Sequence, residues 1–318
     1  VFFLLNFFLP NIFFRLPMKP KSLSRKTILA CTMCLSVATS PVYAQSPTSL
    51  PAEPTIAMTD GTEETNINDA GWWSGQPKEN KLLYSNLIAA SLIGIWGLNE
   101  WDYGSADFHS ADEGWFEQDS KYGGADKLGH FWATYAFSDA LTGLYKHWGY
   151  DSRQANTYAA LSAWSVQAFM ELADATSETQ GFSWEDMVMN TLGALTSVMM
   201  ERYPSLDDKI DFRVEYVFNE DINGIFDDYD NHYYSMVLKL EGFDSIENTF
   251  MKYLEFHAGY YTRGYDSDED DNERSLYAGV SLNFSRFFRE NDWKKTGKTL
   301  EYLQLPYTVL KASHNLDD

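Results

Sequence analysis

The chain has 318 residues and a formal charge of −22, with 46 acidic residues against 24 basic ones, and aromatic residues make up 16% of it. So acidic a protein repels phosphate backbones, which excludes nucleic acid as an expected partner and suits a soluble face or a site that attracts cations. The only two cysteines, Cys31 and Cys34, lie near the start, so a zinc site built on thiolates is not expected further along.

The first methionine is Met18. After it come Lys19, Lys21, Arg25 and Lys26, then the apolar run Thr27 to Thr39, then Val42-Tyr43-Ala44 ahead of Gln45. That order is a secretory signal with cleavage expected after Ala44. Ile28-Leu29-Ala30-Cys31 is faintly like a lipoprotein box, but it stands too close to Lys26 for a normal apolar region, so ordinary cleavage is expected. Residues 1–44 are thus read as upstream sequence and leader. Residues 45–80, rich in Ser, Thr, Pro and acids, are read as a disordered linker.

From Lys81 to Trp101 the residues are apolar on nearly every side, which predicts a helix that is buried or touches lipid. Trp72, Trp73 and Trp101 flank it and fit either a membrane interface or core packing. Three more helices are predicted at Lys127–Trp148, Arg153–Asp174 and Ser183–Arg202, the last opened by an N-capping arrangement of Ser183 with Asp186. Their many alanines and glycines permit close packing, and Pro204 closes the block.

After Asp211 the period changes to two, predicting strands at Phe212–Phe218, Tyr233–Leu240, Tyr253–Tyr261, Leu276–Phe288 and Leu300–Leu310. The third and fourth resemble outer-membrane barrel strands, with aromatics near their ends and alternate apolar faces. The expected fold class is α+β: a compact helical bundle over residues 81–203, then an antiparallel β-meander or partial barrel over 204–318.

The chemistry-bearing residues fall in the helical block. Asp126 and His130 are four apart, with Lys127 adjacent; Glu171 and Asp174 are three apart; Asp186 and Asn190 are four apart. Each pair therefore projects from one face of its helix. Buried carboxylates must be paired, hydrogen-bonded or metal-bound, so the pairs are expected to meet. Asp126, His130, Glu171 and Asp186 would suit a divalent metal that activates water. Without a metal, His130 beside a carboxylate would serve as a general base, with Asn190 orienting. The same residues also fit an interhelical salt-bridge network around Lys127 that only fixes the bundle. A solvent-reachable cluster would favour chemistry, and a dry, fully paired one would favour scaffolding.

Gly124-Ala125-Asp126-Lys127-Leu128-Gly129-His130-Phe131, then Glu171 with Asp174, then Gly181 to Asp186, Asn190 and Gly193 resemble the YfiM-like family of predicted periplasmic lipoproteins, a domain of unknown function. The order Asp-Lys-x-x-His, Glu, Ser-x-x-Asp-x-x-x-Asn-x-x-Gly is also similar to the VanZ-like membrane proteins, which are linked to glycopeptide-antibiotic tolerance. The resemblance covers about Gly123 to Arg202. Asp228-Tyr229-Asp230-Asn231 ahead of Tyr233-Tyr234 adds a weaker likeness. The resemblance implies a periplasmic protein; with the leader and the barrel-like strands, the expectation is an exported envelope protein associated with the outer membrane, with a membrane or envelope component as partner. It names no reaction. The alternative is a metal-assisted hydrolase or transferase acting on a lipid-linked or cell-wall substrate.

Asn219 to Asp230 has the spacing of a calcium loop, with Asn in the first place and Asp in the twelfth, and also reads as an acidic hairpin loop. Asp266 to Glu273 reads as a solvated loop tip. No Gly-rich phosphate loop, Gly-x-Ser-x-Gly elbow or thiol nucleophile is present, so nucleotide hydrolysis and the common serine-hydrolase mechanisms have no support.

Overall fold

The computed structural model describes residues 71–218, 228–246, 248–265 and 271–318. The expected leader, most of the expected linker, most of the calcium-loop segment and residues 266–270 of the acidic tip lie outside them. The chain divides into one unit ending at Gly94 and another running from Ile95 to Asp318.

In the first unit, Trp72, Trp73 and Tyr84 pack ring to ring near the start of helix α1, Lys78–Glu100. Among the described residues α1 is the helix long and apolar enough to cross a membrane.

The second unit is α+β. Helices α2 (Ala125–His147), α3 (Ser152–Asp174) and α4 (Trp184–Arg202) run up, down and up. Asp151 caps α3 by accepting from the Gln154 N–H, and Ser183 caps α4 by accepting from Asp186 N–H. Gly193 lets α4 approach α2 closely, since a Cβ there would sit 2.3 Å from the Phe131 carbonyl oxygen. After the short α5 (Pro204–Asp207) come β1 (Ile210–Tyr216), β2 (His232–Lys239), β3 (Leu254–Arg263) and β4 (Glu273–Leu282). Two short helices, α6 (Phe284–Glu290) and α7 (Lys294–Thr299), precede β5 (Leu303–Gln304) and β6 (Leu310–Asn315).

The six strands form one sheet in the order β5-β1-β2-β3-β4-β6, antiparallel except for the β1–β5 pair, and it is not closed into a barrel. Two predicted strands run differently. Leu276–Phe288 stops at Leu282, because the Asn283 side chain accepts from Arg286 N–H and starts a helix. Leu300–Leu310 is broken into β5 and β6 by a turn holding Pro306 and Tyr307, the latter at φ 61°.

One face of the sheet is apolar. At its β1–β2 end that face packs on α2: Val214 and Tyr234 meet Ala125, Leu128 and Trp132, and Phe212 lies edge-on to Phe131 and Tyr135. The other face is polar and buried. There Arg213 forks onto Glu255 at 2.7 and 2.8 Å and reaches Asp211 at 2.6 Å, while Lys239 pairs with Asp211 and His257 lies 2.8 Å from Ser281 Oγ.

Candidate functional site

Because α2, α3 and α4 alternate in direction, the start of α2, the end of α3 and the start of α4 lie at one end of the bundle. Asp126 and His130 come from the first turns of α2, Glu171 from the last turn of α3, and Asp186 and Asn190 from the first turns of α4. Gly124, at φ 85°, turns the chain into α2; a Cβ there would strike Phe116 and the Trp115 carbonyl.

The structure brings all six predicted residues into two adjoining clusters. In the first, Lys127 Nζ stands 2.7 Å from Asp126 Oδ2, 2.7 Å from Glu113 Oε2 and 3.0 Å from Asp186 Oδ1. Its side chain is 1% exposed, so an unpaired ammonium there would be costly, and three carboxylates offset that cost. Lys121 joins from the side, 3.0 Å from Glu113 Oε1.

The second cluster centres on His130. Its Nδ1 lies 3.3 Å from Asn190 Oδ1 and 3.6 Å from Glu171 Oε1, and its Nε2 lies 3.7 Å from Asp186 Oδ2. The two carboxylate distances exceed a direct hydrogen bond and leave room for a shared proton carrier or ion. Asn190 Oδ1 also accepts from Thr134 Oγ1 and Gln167 Nε2, whereas its Nδ2 is buried with no hydrogen-bond partner. The Ser183 N–H donates to Glu171 Oε2 and fixes that carboxylate against α4.

His130, Glu171 and Asp186 offer ligand atoms within 4.8 Å of one another, and so do Glu113, Asp126 and Asp186. Lys127 Nζ already sits among the carboxylates of the second trio, whereas no lysine or arginine is paired with His130 or Glu171 of the first among the described residues. Among the described residues, Glu113, Asp126, Glu171 and Asp186 face the cations Lys127 and Lys121 and the imidazole of His130. At Glu113, in the segment before α2, burial alone would raise the pKa, but Lys127 and Lys121 hold the carboxyl down to about 2.

The cluster is neither open nor fully paired. The His130 side chain is 12% exposed and its carboxylate neighbours 3–5%, yet Asn190 Nδ2 has no hydrogen-bond partner and both His130–carboxylate distances exceed a hydrogen bond. Asp174, paired with Glu171 by spacing, belongs to neither trio. Glu113 and Lys121 were not expected; they stand in a segment without periodicity, where no spacing marks them.

The fold and site define an α+β chain with a histidine–carboxylate centre at one end of three antiparallel helices. Residues 112–202, which hold every residue of both clusters, match the family described as "Predicted periplasmic lipoprotein (DUF2279)". No curated protein and no solved structure matches the chain.

Proposed function

We propose that this is an exported, periplasmic envelope protein working at the outer membrane, in which His130, Glu171 and Asp186 form an acid–base and divalent-cation centre. The family description and the leader-like residues before Gln45 support the compartment. The reaction class that fits is hydrolysis or group transfer on a lipid-linked or cell-wall substrate.

The observation that carries the reading is the position of His130, each of whose ring nitrogens faces a buried carboxylate beyond hydrogen-bond distance. A divalent cation held by the imidazole and these carboxylates would lower the pKa of a bound water into the neutral range. Without one, His130 would take the proton from an attacking hydroxyl, with Asp186 or Glu171 stabilising the imidazolium. Asp126 and Lys127 hold Asp186 in place from the far side, and Asn190 fixes the imidazole plane.

Metal analysis of the purified full chain beside His130→Ala and Asp186→Ala tests the reading. Stoichiometric divalent metal in the wild type, lost in both variants, is the expected result. Metal-free wild type together with strong destabilisation of both variants would leave the cluster as scaffold, the reading that the triply paired Lys127 favours.

A further inference from the structure

The second unit is built inside out for water. Among the described residues no isoleucine, phenylalanine or tryptophan is buried, and leucine is buried only at Leu240 and Leu300; the buried apolar residues are chiefly alanine and tyrosine. The interior instead holds Thr134, Ser138, Thr142, Asn156, Gln167 and Ser197 between the helices, none more than 8% exposed. On the helices' outer surface Leu161, Leu172, Leu192, Leu195 and Met199 are 40–59% exposed.

The sheet repeats the inversion on a different architecture. Arg213, Glu215, Lys239 and Glu255 point inward and are at most 4% exposed, while Met236, Phe256, Leu276 and Leu282 point outward at 45–49%. Scattered exposed leucines are ordinary on a soluble protein, but a surface apolar on helices and strands alike over a polar interior is not. A hydrogen-bonded polar interior gains little from the hydrophobic effect, so the apolar exterior needs an apolar solvent.

We propose that the helical block and the outward face of the sheet are embedded in bilayer hydrocarbon, with acyl chains as the occupant of that surface. The dimensions agree. No Asp, Glu, Lys or Arg lies from Gln154 to Met170 or from Met187 to Met200, which is about 21–26 Å of helix at 1.5 Å per residue. An outer-membrane protein presents an apolar band of about 25 Å. Strands β3 and β4 have 10 residues each, the length of a membrane strand.

Exposed aromatics mark both ends of that band: Trp184, edge-on to Trp115, at the site end, and Tyr158 and Tyr203 at the other. Lipid requires that strand edges be limited. Glu215 on β1 accepts from the Tyr307 N–H at 3.0 Å and pairs with Lys311 of β6 at 2.6 Å, drawing the two sides of the sheet together across the polar interior. A second protein would cover one patch, whereas this surface runs over several helices and strands. Embedding sets the His130 centre at one boundary of the apolar band, level with the head groups of lipid-linked molecules.

The inference takes its compartment from the envelope reading but does not depend on chemistry at His130. The test uses the full chain expressed with its leader in a diderm host, carrying Cys31→Ser and Cys34→Ser, with a nitroxide placed through Leu192→Cys, Val280→Cys or, as an aqueous reference, Asp119→Cys. Collisions with oxygen should exceed those with a water-soluble nickel chelate at 192 and 280 and reverse at 119, in the wild-type site and in His130→Ala alike. Leu195→Arg and Leu276→Arg should cut recovery in carbonate-washed membranes about tenfold or more. Nickel collisions dominating at all three positions, or a folded chain that stays in solution without detergent, alone or self-associated, would overturn the proposal.

Discussion

Lys127 Nζ and Asp186 Oδ1 stand 3.0 Å apart and tie the first turn of α2 to the first turn of α4. The same ammonium holds Asp126 and Glu113, so a single buried cation sets the positions of two helices and the segment before them. Lys127→Met would keep most of the side-chain volume and leave three carboxylates without their counter-charge. Breaking a buried ion pair from one side costs about 3–5 kcal/mol, and that loss should appear in denaturant titration of the purified chain in micelles. Lys127→Arg, which keeps the charge but changes its shape, should lose less.

Glu113 gives the site an acid limb. Its carboxyl titrates at about 2 in the folded chain against an ordinary value of 4.5, so the native state favours the ionised form. The resulting stabilisation is complete above pH 4.5 and disappears as pH falls through the folded value, because the unfolded chain takes up the proton first. Glu113→Gln removes that stabilisation. The stability difference between wild type and Glu113→Gln should therefore be widest near neutrality and shrink between pH 4.5 and 2; a difference independent of pH would show that the fold does not hold the Glu113 carboxyl below its ordinary value.

Gly193 measures how much the site depends on helix spacing. Gly193→Ala would press a methyl onto the Phe131 carbonyl, with Thr134 and Tyr135 N also close. Overpacking of this kind costs about 1–3 kcal/mol, and pushing α4 from α2 would part Asn190 from His130 and Thr134. The expected result is a lower melting temperature together with weaker divalent-metal binding, whereas Ala194→Gly next to it should spare the metal.

The helices and the residues they bring together were legible because the 3.6 period and the i, i+4 pairs act locally: Asp126 with His130 and Asp186 with Asn190 needed only helix geometry. Ser183 was legible as a cap for the same reason. Glu113 was not, since its role arises from a contact made 14 residues on, at Lys127. The strand ends at Leu282 and around Pro306 were misread because alternation continued past a capping Asn and through a turn. Period two and period 3.6 also divide residues into two faces without saying which face is inside. Here the polar faces of α2 to α4 and of the sheet are the inner ones, and only packing reveals it.

Arg213 tests whether the sheet's polar interior is structural. It forks onto Glu255, reaches Asp211 and donates to Gln304 at 3.1 Å, joining β1, β3 and β5 from one side chain that is 2% exposed. Arg213→Leu would leave Asp211 with Lys239 alone and Glu255 with only the Ser281 hydroxyl. The cost expected for stranding a buried charge is again about 3–5 kcal/mol. Adding Glu255→Gln to Arg213→Leu removes the stranded charge, so the double variant should recover part of the loss. If it is instead as unstable as the sum of the two single variants, the pair contributes no coupling and the interior is held by its packing.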